Sequence, residues 1–201
     1  IQEMEAEDAP LVGAAGVREI TFGGDLNQSR DIMLQGITAI ETVYFPMPQT
    51  WDLTDDPILQ LRFDHSGSLV PDRSGLTVSL NGQAVASTPL SEENIVDGLV
   101  EVALPRRVLK DFNDLRLEVV QHVGDECEDP FDPALWTRVR RDSSIVWNYR
   151  RQPANVNLEQ FPLPFFDPQG YGPADIALAG GSSLSNAQLE ALGVLGFALG
   201  R

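Results

Sequence analysis

The chain has 201 residues, room for one large domain or for one domain and part of another. Thirty acidic residues against 14 basic ones give a formal charge of −16, which excludes the cationic face that nucleic acid or a bare anionic membrane surface requires. No apolar run reaches the length of a membrane-spanning helix, whereas a neutral polymer such as a polysaccharide is indifferent to this charge.

Residues 1–16 read as a flexible acidic arm, with Glu3, Glu5, Glu7 and Asp8 followed by a Gly/Ala stretch. From Val17 to about His122 the hydrophobic period is two. Leu59, Leu61 and Phe63 alternate with Gln60, Arg62 and Asp64; Leu76, Val78 and Leu80 with Thr77 and Ser79; Val100, Val102 and Leu104 with Glu101 and Ala103; and Leu115, Leu117 and Val119 with Arg116 and Glu118. One apolar and one polar face is the mark of half-buried antiparallel strands. Ile37–Phe45 also has extended character. Asn81-Gly82 signals a tight hairpin. Pro105–Asn113 is expected to hold one helical turn, with Val108, Leu109 and Phe112 facing the core. Seven or eight short strands at this spacing predict a jelly-roll β-sandwich over residues 17–150.

Gly124–Pro133 is acidic and bounded by prolines, and Trp136–Tyr149 returns to extended character. Pro153, Pro162, Pro164 and Pro168 mark a linker over 151–169. Residues 170–201 change in kind. Ile176–Ala179 reads as a strand buried on both faces, Gly180–Ser183 as a turn, and Ser185 with Gln188 as a capping box opening a helix. Leu189, Leu192, Leu195 and Leu199 follow on that helix, whose only charge is Glu190. A strand, a turn and a helix in this order open a parallel α/β sheet, and they need further elements to cover their apolar sides.

Chemistry is sparse. Asp64-His65-Ser66 resembles a catalytic relay as text, but neighbours on a strand point to opposite faces and cannot act together. No local spacing singles out a pair of glycosidase carboxylates. The loop Asp125–Asp132 lacks calcium-loop spacing and reads as solvated. Gly180-Gly181 is followed by no phosphate-binding pattern and no lysine. Neither catalytic residues nor a metal or other cofactor is therefore assigned. Arg138, Arg140, Arg141, Arg150 and Arg151 cluster, and some of them are expected to neutralise the acidic loop upstream, the alternative being a dock for an acidic surface or an anionic ligand. Cys127, the single cysteine, is either a buried small residue or one half of a bridge to a cysteine elsewhere. Sugar rings stack on flat aromatic faces, which leaves Trp51, Trp136, Trp147, Tyr44 and Tyr149 as candidates. Trp51 is expected to be the best exposed, because Pro48-Gln49-Thr50 and Asp52 around it look like a loop. Trp51 and Tyr44 are the carbohydrate-binding candidates.

Cys127-Glu128-Asp129-Pro130, then Leu135-Trp136-Thr137, Ser144-Ile145 and Phe161-Pro162-Leu163-Pro164-Phe165-Phe166-Asp167, resemble the periplasmic B subunit of bacterial cellulose synthase. The order of features agrees over nearly the whole chain. The resemblance implies a carbohydrate-binding-module-like jelly roll followed by the first βα unit of a flavodoxin-like domain, the chain being an N-terminal piece of a protein that repeats this pair and ends in an inner-membrane anchor. It implies a periplasmic location, a non-catalytic role in guiding nascent β-1,4-glucan, and the synthase catalytic subunit, the nascent cellulose and other copies of the same subunit as partners. A pure assembly scaffold without sugar contact is the alternative. Members have been described as cyclic-di-GMP-binding; no arginine motif of that kind is present, and the nucleotide is expected to act on the catalytic partner.

Overall fold

The computed structural model describes residues 13–124, 128–152, 163, 167–171 and 185–199. The alternating segments form strands, and eleven of them are found among the described residues: β1 (Ala15–Thr21), β2 (Ile32–Gln35), β3 (Thr38–Pro46), β4 (Trp51–Leu53), β5 (Ile58–His65), β6 (Gly75–Leu80), β7 (Gln83–Pro89), β8 (Gly98–Ala103), β9 (Phe112–Val120), β10 (Trp136–Val139) and β11 (Ser144–Arg151). Among the described residues one α-helix, α1 (Asn186–Leu199), follows. The count exceeds the expected seven or eight because short strands such as β2, β4 and β10 carry too few residues to show a period. β1 begins at Ala15, inside the segment read as an arm.

All pairings are antiparallel and fall into two sheets. The four-stranded sheet runs β3-β9-β6-β7. In the seven-stranded sheet, β5 carries β8 along one edge. Its other edge meets β11 at residues 58–60 and β10 at residues 63–65. β1 and β4 flank β11, and β2 closes the far edge against β10. The inner faces of the two sheets share one core. Leu59, Leu61, Phe63, Ile145 and Trp147 from the larger sheet meet Val43, Phe45, Leu76, Val78, Leu80, Leu115, Leu117 and Val119 from the smaller. The period-two residues named from the sequence are those that turn inward, apart from Val102, which is only partly buried.

The Asn81-Gly82 hairpin forms as expected between β6 and β7, with φ of +50° and +84° at the two residues, the left-handed conformation such a turn demands. Pro105–Asp111 departs from expectation. It makes turns, with Val108 N–H donating to Pro105 and Leu109 N–H to Arg106, and no helix. Val108 and Leu109 pack against the core, but Phe112 points to solvent. The reason is register. Leu115 faces inward, so Asn113 does too, and Phe112 with Asp114 must face out. Asn113 is fully buried and tied to Asn81, whose amide donates to it at 2.9 Å and to the Val108 carbonyl at 2.7 Å.

At α1 the capping box is present. The Gln188 side chain accepts from the Ser185 N–H at 2.9 Å, and the Ser185 hydroxyl accepts from the Gln188 N–H at 3.3 Å. Leu192 and Leu195 are half-buried and Leu189 is exposed. The expected strand Ile176–Ala179 and turn Gly180–Ser183 lie outside the described residues, as does Cys127.

Candidate functional site

Asp64 and His65 end β5, Ser66 follows it, and all three are buried. Asp64 turns to the outer side, where one carboxylate oxygen accepts from Arg138 Nε at 3.0 Å and Nη2 at 2.6 Å, and the other from the Asp97 N–H at 2.9 Å. Burial works against its charge, but the Asp97 N–H and the Arg138 guanidinium outweigh it and hold the carboxyl below its ordinary range. His65 turns to the inner side, beneath Phe63, with Nε2 at 2.8 Å from Asn94 Oδ1 and Nδ1 at 2.9 Å from the Ser66 carbonyl. Acid and histidine therefore serve different contacts on opposite faces, and they form no relay.

Two of these arginines are neutralised by acids outside that loop. Arg138 pairs with Asp64 and Asp31, and Arg140 with Asp142 and Asp97. Arg141 donates through its backbone to Asp31 and through its guanidinium to the Ser29 carbonyl. Sequence proximity misled here, because β10 pairs directly with β5, so that Arg138 within it and Arg140 just beyond it meet acids of other strands and loops. The acidic loop has its own partners. Glu128 meets His122 Nδ1 at 2.6 Å, accepts from the Gly124 N–H at 2.7 Å and lies 3.9 Å from Arg73. Burial again opposes that charge, and these donors overcome it, leaving the Glu128 carboxyl below its ordinary range. Asp129 and Asp132 each cap a backbone N–H two residues on, at Phe131 and Ala134. Among the described residues no group of three or more His, Cys, Asp or Glu could hold a metal ion.

The two aromatic candidates part company. Trp51 is not on a loop; it opens β4, opposite Arg151 of β11, and is partly buried against the core. One face lies flat on Tyr149, with ring centroids 3.9 Å apart and 8° between planes. Its edge meets Trp147, and Tyr171 lies at 6.1 Å. The same region is stitched to the end of the segment read as a linker and to the start of the one after it. Asp167 accepts from the Thr50 N–H and hydroxyl, and the Tyr171 hydroxyl donates to the Pro46 carbonyl at 2.5 Å. Burial pushes the Tyr171 phenol far above its ordinary range, so it stays a donor. Trp147, another candidate, is fully buried beneath this cluster.

Tyr44 stands on the outer face of the four-stranded sheet, 58 % exposed. Its ring stacks beside that of Phe112, itself 59 % exposed, with centroids 6.0 Å apart and planes 14° from parallel. The two are diagonal neighbours, since Tyr44 is opposite Asp114 and Pro46 opposite Phe112. Thr42 and Ile40 continue the same face along β3, and Arg116 and Glu118, paired at 3.0 Å, continue it along β9. The result is a flat aromatic pair bordered by hydroxyl and charged groups. Phe112 was missed in the sequence because it was assigned to a helical turn. Counting back by twos from Leu115 would have turned it outward.

The model of the family described as cellulose synthase BcsB, first CBM domain, matches residues 17–151. The chain is 30 % identical over 194 residues to the cyclic di-GMP-binding protein of Salmonella typhimurium, covering 94 % of this chain and 25 % of that protein. It is 31 % identical over 169 residues to the cyclic di-GMP-binding protein of Escherichia coli K12, covering 82 % of this chain and 22 % of that protein. The chain thus spans about a quarter of the length of these relatives. Among solved structures, latent PorU from Porphyromonas gingivalis is similar at a TM-score of 0.40 and 13 % identity over 71 % of this chain and 13 % of that one, too remote to inform the site.

Proposed function

The chain belongs to the cellulose synthase BcsB family, matching its first CBM domain, and from that premise we propose that it is a non-catalytic part of a bacterial cellulose synthase complex that holds and guides β-1,4-glucan. The observation that carries the glucan contact is the Tyr44–Phe112 pair. Pyranose rings present apolar C–H faces that stack on aromatic planes, while their hydroxyls seek groups such as Thr42, Asp114 and Arg116 beside them. Weak contacts of this kind, repeated along a strand, hold a polymer without fixing its register. In this reading Tyr44 is the sugar contact, and Trp51, with one face on Tyr149, contributes chiefly to architecture.

The finer organisation belongs to the same proposal. Residues 17–150 form the sandwich in jelly-roll order, 151–169 a connecting segment, and 170–201 the opening of a flavodoxin-like α/β domain. No helix among the described residues is long and apolar enough to cross a membrane; membership of the family supports a periplasmic position, and inner-membrane attachment elsewhere in the protein is part of the same proposal. Its partners would be the synthase catalytic subunit, the emerging glucan and other copies of the subunit. The relatives carry the name cyclic di-GMP-binding protein. In this chain Arg138 and Arg140 are engaged by Asp64, Asp97 and Asp142, so the nucleotide is assigned to the catalytic partner.

Titration calorimetry with cellohexaose on the wild-type chain and on Tyr44→Ala tests the reading. Saturable heat that is weakened roughly three- to tenfold by the substitution supports it. An absence of heat even at millimolar sugar would leave the scaffold reading, which the use of Trp51 and Trp147 for packing rather than display favours.

A further inference from the structure

A cleft of about 550 Å³ opens at one corner of the sandwich, where the chain leaves β2 and enters β3. Gln35, Gly36, Ile37 and Thr38 form one wall, and the loop Pro130–Pro133 with Leu135 forms the other. Phe131 stands at its rim with 88 % of its surface exposed. Its ring offers a flat apolar face to anything that enters the cleft. The loop that carries it is nonetheless firmly built. The Phe131 N–H donates to Asp129 Oδ1, the Asp132 N–H to the Asp129 carbonyl, and the Ala134 N–H to Asp132 Oδ1. The Gly36 N–H joins the walls through the Leu135 carbonyl at 3.0 Å. Beneath them the buried Gln121 amide donates to the carbonyls of Gly36 at 2.8 Å and Leu34 at 3.3 Å, while its oxygen accepts from Thr137 at 2.8 Å. Gly36 sits at φ +95°, a conformation that excludes most side chains from the cleft wall. A preorganised recess with one aromatic rim and a few polar groups has the character of a small-ligand subsite.

Its position says which ligand. Thr38 lines the cleft and is also the first outward residue of β3, in line with Ile40, Thr42 and Tyr44. Successive outward residues on a strand lie about 6.7 Å apart. The distance from Thr38 to Tyr44 is therefore about 20 Å. We infer that the Phe131 cleft is a second sugar subsite and that one β-linked glucan segment lies along β3 from the Tyr44–Phe112 pair into it. This rests on the proposed glucan contact at Tyr44. Phe131 stacks on a ring, and Gln35, Thr38 and the second Asp132 oxygen meet its hydroxyls. The acidity of the chain favours a neutral polymer over any anionic ligand there.

The test titrates cellotriose and cellohexaose into the wild-type chain, Tyr44→Ala, Phe131→Ala and Gln35→Ala. Phe131 makes so little contact that its loss leaves the thermal midpoint unchanged, which serves as the folding control. The expected result is that Phe131→Ala weakens cellohexaose roughly three- to tenfold and leaves cellotriose nearly untouched, with Gln35→Ala acting in the same direction. Cellohexaose binding that depends on Tyr44 but not on Phe131 or Gln35 overturns the cleft and leaves the first reading standing. Equal loss for both sugar lengths overturns the continuous track. No binding by wild type overturns both.

Discussion

Replacing Asp64 by Asn should cost stability, and the cost should vanish in acid. The wild-type carboxylate accepts two hydrogen bonds from Arg138 and one from the Asp97 N–H. Hydrogen bonds to a charged group contribute about 1.5–3 kcal/mol each when buried. Arg138 is 45 % exposed, so water takes over part of its solvation once the pair is broken, and the lower end applies. The Asn oxygen retains the Asp97 bond, whereas its amide, if turned to Arg138, meets a donor with a donor. A loss of about 1.5–3 kcal/mol follows at pH 7, or a fall of roughly 4–10 °C in the thermal midpoint for a domain of this size. The pH dependence fixes the cause. The Asp64 pKa is lowered on folding from 3.8, so its contribution is fully present above that value and is lost as pH falls through the lower folded value. Wild type should therefore converge on Asp64→Asn in acid. Urea unfolding of both proteins at pH 7 and at several steps below pH 4 measures the gap. A gap under about 0.5 kcal/mol at neutral pH, or one indifferent to pH, would refute the account of Asp64 as a buried ion-pair anchor.

Three further substitutions probe the frame around the site. Trp51→Ala removes the Tyr149 stack and the Trp147 contact and should destabilise by about 2–4 kcal/mol; thermal melts read the loss, and glucan affinity at saturating native protein should stay unchanged, unlike Tyr44→Ala. Gly98→Ala would put its methyl 2.6 and 2.7 Å from Phe63 ring atoms and 2.9 Å from the Asn94 carbonyl oxygen. Because Phe63 is fully buried, relief requires repacking and should cost about 1–3 kcal/mol in urea unfolding. Asn81→Ala loses donors to Val108 and Asn113 and an acceptor for the Asp114 N–H. It also leaves alanine at φ +50°, so a destabilisation of about 2–4 kcal/mol is expected by the same measurement.

Much of the sheet architecture was legible because burial on one face forces a period of two, and the hairpin at Asn81-Gly82 because few residues tolerate its backbone. The inward set from β5, β6 and β9 could be written down before any coordinate. Phe112 was misjudged because a wrong local assignment broke the count, not because the pattern was missing. Trp51 was misjudged for another reason. Nothing local says that β11 will run beside residues 51–53 and lay Tyr149 on the indole, or that Asp167 and Tyr171 will return to Thr50 and Pro46.

By itself the sequence determined which residues turn inward, where the hairpin and the helix cap fall, and that the charge suits a neutral ligand. These follow from interactions within a few residues of chain and from composition, where periodicity and turn chemistry leave little choice. Tertiary structure alone decided which aromatics are displayed and which are spent on packing, which acids neutralise Arg138 and Arg140, and that Thr38 and Phe131 share a cleft. Those outcomes depend on contacts between residues more than a hundred positions apart, 125 for Tyr171 with Pro46, and strand order across two sheets fixes them only when the whole core closes.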